Sequence, residues 1–270
     1  MNGGASTQSF HSGALQDKVV LITGGGTGIG RATALSMAGC GARLVLAGRR
    51  EALLNETAER IREMGSEAHV VVGDIREPDH VMELVDQALT VFGHIDVLVN
   101  NAGGQFQAPA EDISLNGWRA VHRLSVDSVW NLTREVATRS MIPRRAGLVV
   151  FMAFSPRRGI PGMVHATAAR AAVENLASGL ALEWSRYGIR SVAVAPGSII
   201  SEGLEQCPAA DRAEWEQGVP LGRLGQPEDV SEVITFLATD AARYITGTTI
   251  TIDGGADAWG SGRPVPATEY

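Results

Sequence analysis

The stretch Thr23-Gly24-Gly25-Gly26-Thr27-Gly28-Ile29-Gly30 constrains this chain more than any other: an apolar run, 18–22, ends at it, and a helical pattern begins inside it and continues through Arg31 and Ala32. Glycines at a strand-to-helix turn let the backbone bend sharply and approach a bound pyrophosphate. The helix N-terminus, with its free amides, favours that negative charge. Glycines also serve ordinary tight turns, and a plain turn stays open; placement between a strand and a helix favours the phosphate loop.

Short apolar runs at 19–22, 44–47, 69–72, 97–99, 148–152, 191–194 and 248–252 alternate with helical patterns over 28–39, 50–64, 78–92, 116–139, 163–186 and 227–239. Such alternation implies a parallel sheet covered by helices on both faces, a doubly wound α/β fold of Rossmann type with three layers, α/β/α. Pro78 and Pro227 sit near helix starts, where proline is tolerated. No Pro/Gly/Ser linker interrupts the series, so 17–260 reads as one domain between a flexible extension, 1–16, and a tail, 261–270. The longest break, 196–225, reads as a mobile lid or substrate loop.

Several function classes are disfavoured by composition. A net charge of -7 with both signs interspersed offers no basic face for nucleic acid. Residues 1–16 lack a basic start and an apolar core, and no apolar stretch is long enough to span a bilayer, so neither secretion nor a membrane partner is expected. Cys40 and Cys207 are far apart and lack ligand spacing, which suggests no disulfide, no metal site and a reducing cytoplasm.

With these motifs in view the chain resembles the short-chain dehydrogenase/reductase family along nearly its whole length. Thr23-Gly24 and Gly28-Ile29-Gly30 match the family's T-G-x-x-x-G-I-G, and Asn100-Asn101-Ala102-Gly103 its N-N-A-G after the fourth strand. Asp74-Ile75 matches the adenine-contacting pair and Pro196-Gly197 the loop beside the nicotinamide. The resemblance implies a nicotinamide dinucleotide held by Gly24, Thr27, Gly28, Ile29, Gly30, Asp74, Ile75, Asn101, Ala102, Gly103, Pro196, Gly197 and Ile199. Ile252-Asp253-Gly254-Gly255 is similar to the family's closing strand, which implies a homotetramer.

The choice between NAD and NADP falls after the second strand, where an acid accepts the ribose hydroxyls of NAD and arginine pairs with the 2′-phosphate of NADP. That strand ends in Gly48-Arg49-Arg50 with no acid at the tip, which favours NADP(H). Two solvated arginines would leave NAD open.

The family's catalytic tetrad of Asn, Ser, Tyr and Lys is replaced throughout. Aligning Arg170-Ala171-Ala172-Val173 with K-A-A-V puts Arg170 at the lysine and Ala166 at the tyrosine; Ala153 stands at the serine and Ser125 at the asparagine. A methyl group neither donates a proton nor polarises a carbonyl, which speaks against ordinary alcohol dehydrogenation. Arg170 can still hydrogen-bond the cofactor ribose, but its pKa is too high for a proton relay at neutral pH.

A conjugated thioester needs only hydrogen-bond donors for the charge that develops on its oxygen. Residues 100–114 with Gly117-Trp118 look like the matching segment of the 2,4-dienoyl-CoA and trans-2-enoyl-CoA reductase branch, although that branch's loop tyrosine is here Ser155. Remaining polar groups near the expected nicotinamide are Ser125, Asp127, Ser155, Arg157, Arg158 and His165. His165 reads either as a general acid or as a packing histidine at a helix start, and Ser155 as an oxyanion donor or a turn hydroxyl. Arg157 and Arg158 read as a coenzyme A phosphate site or as solvated surface.

The favoured expectation is an NADPH-dependent reductase of an enoyl- or dienoyl-CoA, with Arg170 on the ribose and Ser125, Ser155 or His165 on the thioester oxygen. Two alternatives stay open. One is a catalytically silent dinucleotide-binding protein. The other is an alcohol or 3-hydroxyacyl dehydrogenase whose acid/base is rebuilt from His165 or Asp127.

Overall fold

The computed structural model describes residues 10–156, 159–200 and 215–260. β1 (Val19–Thr23) is buried along its whole length, and its side chains alternate between two cores: Val19 and Leu21 enter one, Val20 and Ile22 the other. A strand apolar on both faces is satisfied only where helices cover both sides of the sheet.

The chain supplies those helices in alternation. After β1 come α1 (Gly28–Gly39), β2 (Arg43–Gly48), α2 (Glu51–Glu63), β3 (Ala68–Val72), α3 (Pro78–Phe92) and β4 (Val97–Asn100). Then follow α4 (Leu115–His122), α5 (Ser128–Val136), α6 (Ile142–Arg144), β5 (Gly147–Met152), α7 (Val164–Trp184) and β6 (Ile189–Pro196). α8 (Pro227–Ala238), β7 (Thr249–Ile252) and α9 (Ala256–Trp259) complete the described residues. Among them the sheet has seven strands in the order β3-β2-β1-β4-β5-β6-β7, and every pairing is parallel. The doubly wound α/β expectation is therefore met. One core is filled from α3, α5 and α7, the other from α1, α2 and α8.

Local chemistry sets the helix ends. Pro78 opens α3, where a missing N–H costs nothing, and Gly93 closes it in the left-handed region at φ 78° with its amide on the Leu89 carbonyl. At α8 the Asp229 carboxylate accepts the Gln226 amide at 2.7 Å, while the Asp229 amide donates to the Gln226 carbonyl at 3.0 Å.

The helix expected over 116–139 differs in detail. Its α-helical segments are separated by two π turns, Arg123–Asp127 and Ala137–Met141. Hydroxyls bonded back to carbonyls four residues earlier flank them, Ser128 on Leu124 at 2.6 Å and Thr138 on Arg134 at 2.8 Å, and such bonds compete with the regular ladder. Within 10–16, Leu15 is buried against the α1 side and its amide donates to the Cys40 carbonyl at 2.9 Å. No helix among the described residues is long and apolar enough to cross a membrane.

Candidate active site

The strand order reverses between β1 and β4. The chain works outward from β1 to β3, then returns to β4 on the opposite side of β1, so the connections diverge and open a crevice at the carboxyl ends. Thr23 stitches the two strand ends together: its hydroxyl accepts the amides of Asn101 at 3.1 Å and Ala102 at 3.0 Å. Asn101 returns two bonds, from Nδ2 to the carbonyls of Thr23 at 2.8 Å and Gly24 at 3.3 Å.

Two glycines then take opposite roles. A Cβ on Gly30 would lie 2.2 Å from the Gly24 carbonyl oxygen, so only glycine lets the first turn of α1 press onto the loop. Gly28, at φ +51°, would place a Cβ in open space, and its face of the loop is free to receive a ligand. Thr27 stands at the N-cap but its hydroxyl makes no cap; it accepts instead from Arg50 Nη2 at 3.0 Å. The first-turn amides of α1 therefore lack a side-chain acceptor, which is the requirement for binding a phosphate there.

Of the residues expected to bind cofactor, Gly24, Thr27, Arg49, Arg50, Asp74, Ile75, Asn101, Ala102 and Gly103 line this one cleft. Thr23 and Leu124 line it too, although neither was among the expected binders. Thr23 was visible in the glycine motif, whereas Leu124 owes its place to the π turn. Asp74 is gripped by Arg76, whose Nε lies 3.0 Å from each carboxylate oxygen. The Arg76 bond holds the Asp74 pKa down at about 2. Nothing in the sequence pattern marks this pairing. Uncapped helix amides, an open glycine face and exposed arginines at the tip of β2 fit a dinucleotide.

Against Gly103 of the cleft wall, Arg170 on α7 is 8% exposed, and Nη1 donates to the Met152 carbonyl at 2.5 Å. Burial pushes its pKa down to about 10. Ala153 and Ala166 are buried, as is Ser125 on the first π turn. Pro196 and Gly197 lie where β6 meets its neighbours: the Pro196 carbonyl accepts the Ser155 amide at 2.9 Å and the Gly197 amide donates to Ile252 at 3.0 Å. Ile199 instead lines an adjoining hollow with Asp229 and Asp253.

Of the remaining polar candidates, Ser155 and His165 are withdrawn into the protein, whereas Asp127 is exposed. The buried Ser155 hydroxyl donates to Asp253, whose carboxylate also accepts the amides of Gly255 at 2.9 Å and Asp257 at 2.8 Å. His165 is fully buried with neither ring nitrogen hydrogen-bonded, and its ring lies against Phe106. Burial first, and His122 second, lower its pKa. Arg157, Arg158 and residues 201–214 of the expected substrate loop fall outside the described residues.

A doubly wound sheet with a glycine loop at its switch point is the arrangement in which dinucleotides are bound. Residues 24–257 match the family described as Enoyl-(Acyl carrier protein) reductase. The chain is 36% identical over 246 residues to a probable 2,4-dienoyl-CoA reductase of Bacillus subtilis, covering 89% of this chain and 97% of that protein. It is 32% identical to the peroxisomal 2,4-dienoyl-CoA reductase of Danio rerio, with 93% and 85% covered. Among solved structures it is similar to the citronellol catabolism dehydrogenase of Pseudomonas aeruginosa PAO1, at a TM-score of 0.83, 38% identity, and 92% and 98% coverage. Levodione reductase matches at a TM-score of 0.86, 33% identity, and 90% and 99% coverage. This chain belongs to the short-chain dehydrogenase/reductase family. It is an oxidoreductase that uses a nicotinamide dinucleotide.

Proposed function

We propose that the protein reduces a conjugated coenzyme A thioester, a 2-enoyl or 2,4-dienoyl chain, with NADPH. The observation that carries this reading is the pair Ala153 and Ala166, both buried, at the positions where the family resemblance places the catalytic serine and tyrosine. A carbonyl-to-alcohol conversion needs an acid at the oxygen. A conjugated thioester places its developing charge on an oxygen that hydrogen-bond donors alone can stabilise. The names of the Bacillus subtilis and Danio rerio relatives support the same substrate class.

NADPH, when bound, supplies the hydride. The chain's own part is to hold it: the α1 amides take the pyrophosphate, Asp74 and Ile75 flank the adenine, and Arg49 with Arg50 takes the 2′-phosphate. An acid rebuilt from His165 is not favoured, because its ring is packed under Phe106 with both nitrogens buried. A homotetramer is our proposal for the assembly, supported by the closing motif Ile252–Gly255 and by Leu182, an apolar residue of α7 that is 81% exposed. Light scattering tests it.

Nicotinamide absorbance tests the reaction. It should fall when a 2-enoyl-CoA or 2,4-dienoyl-CoA is added to protein and NADPH, and should not rise with simple alcohols and NADP. Absence of turnover with every thioester would sink the reading.

A further inference from the structure

Arg170 differs from the other well-placed arginines in how its charge is met. Arg144 pairs with Asp96, Arg76 with Asp74 and Arg223 with Asp229. Arg190, also withdrawn from solvent, spends its donors on the carbonyls of Leu237, Ala242 and Ile245. Arg170 is 8% exposed, has no carboxylate partner among the described residues, and makes one hydrogen bond, to Met152. A guanidinium carries five N–H donors, so most of its capacity is unspent. Its Nη2 reaches the cleft wall, 2.2 Å from where a Cβ on Gly103 would stand.

A buried cation without a counter-charge is costly, and the fold keeps this one against Gly103 at the cleft wall. A ribose can accept hydrogen bonds, but being neutral it cannot balance the charge. An oxygen that becomes an anion during the reaction does both. Two of the competing donors are otherwise engaged, Ser155 on Asp253 and His165 against Phe106; the third, Ser125, is a neutral hydroxyl and supplies no charge.

We propose that Arg170 is a catalytic residue, the oxyanion donor that meets the enolate oxygen of the conjugated thioester. This rests on the thioester-reductase reading above. Reduction adds a hydride to the far carbon of the conjugated system and a proton to the chain. NADPH supplies the hydride and is oxidised by two electrons, and water supplies the proton. Between the two events the displaced π pair rests on the thioester oxygen, where a planar charged fork stabilises it.

The test uses acetoacetyl-CoA with the oxidised dinucleotide present, so that no hydride is available. Binding to an oxyanion donor draws this β-ketothioester toward its enolate, read as near-ultraviolet absorbance. The wild type should show the enolate band; R170Q, neutral but still a planar donor, should lose it; R170K should keep it at weaker affinity. In turnover R170Q should lose about 100-fold in kcat while dinucleotide affinity, followed by fluorescence, moves less than about threefold.

A band that survives in R170Q, or an R170Q that loses dinucleotide affinity and keeps kcat, would overturn the assignment and leave Arg170 a ribose-positioning residue. If R170Q does not fold, R170K decides, since loss of the band with the charge retained also overturns it. Wild-type protein that reduces thioesters but shows no band leaves the reductase reading standing and removes this one. The band without turnover removes the reductase reading and with it the catalytic role of Arg170, leaving only an enolate-binding site, and neither together sinks both.

Discussion

The imidazole of His165 lies against the ring of Phe106, with the centroids 4.3 Å apart and the planes inclined by 37°. One ring opens α7 and the other sits in the segment between β4 and α4, so the contact joins two segments that follow neighbouring strands. It has a pH consequence. Burial, with His122 adding to it, lowers the His165 pKa below 6.5. Above that pH the folded and unfolded chains are both neutral at this residue; below it the unfolded chain binds a proton that the folded chain resists, so stability falls as pH drops through the window beneath 6.5. H165F keeps the aromatic contact and removes the titration. Thermal melts should show a flatter dependence of Tm on pH in H165F than in the wild type, and equal slopes would mean that His165 does not carry the effect.

The arginines at the tip of β2 should decide between the two dinucleotides. If Arg49 and Arg50 hold the 2′-phosphate as proposed, R49A and R50A should each lose a charge-assisted contact worth about 1.5 kcal/mol, equivalent to a roughly tenfold rise in the NADPH KM, with little change for NADH. R50A also releases the Thr27 hydroxyl, now its acceptor at 3.0 Å. Side-by-side kinetics with both cofactors measure the ratio; parallel losses for NADPH and NADH would contradict a 2′-phosphate role.

Packing at Gly30 should tolerate no added methyl. G30A would set a Cβ 2.2 Å from the Gly24 carbonyl oxygen and 2.6 Å from Asn101 Nδ2, and the first of these is backbone that cannot swing aside as a side chain can. The expected cost is about 3 kcal/mol, or about 10 °C in Tm for a chain of this size. Differential scanning calorimetry reads it directly, and a wild-type Tm would show that the loop does not press on α1.

Ser155 is expected to act on the fold and not on the substrate. Its hydroxyl is one of three donors to Asp253, so S155A should cost about 1 kcal/mol and leave kcat within about twofold. D253A strips the acceptor from all three and should cost about 3 kcal/mol. Chemical denaturation alongside kinetics separates the two effects. A large fall in kcat for S155A at unchanged stability would place its hydroxyl on the substrate.

Much of this architecture was legible in the residue pattern, since helix and strand periodicity are local. The expected helix 28–39 and strands at 19–22 and 97–99 coincide with α1, β1 and β4 to within a residue. The phosphate loop was legible for the same reason: its glycines answer to their own backbone turn and to a helix a few residues away. The π turn at Ser125 was not, because a hydroxyl back-bond that shifts the helical register is invisible to hydrophobic periodicity.

By itself the sequence determined a doubly wound α/β sheet with a glycine loop at the end of β1, and it marked the positions where methyl groups replace polar ones. Only the tertiary structure decided which polar side chains are spent on the protein and which retain capacity for a ligand. Ser155 finds its acceptor 98 residues on at Asp253, while Arg170 lies buried without an acid among the described residues. Hydrogen-bond satisfaction depends on non-local pairing, and no local pattern encodes the partner.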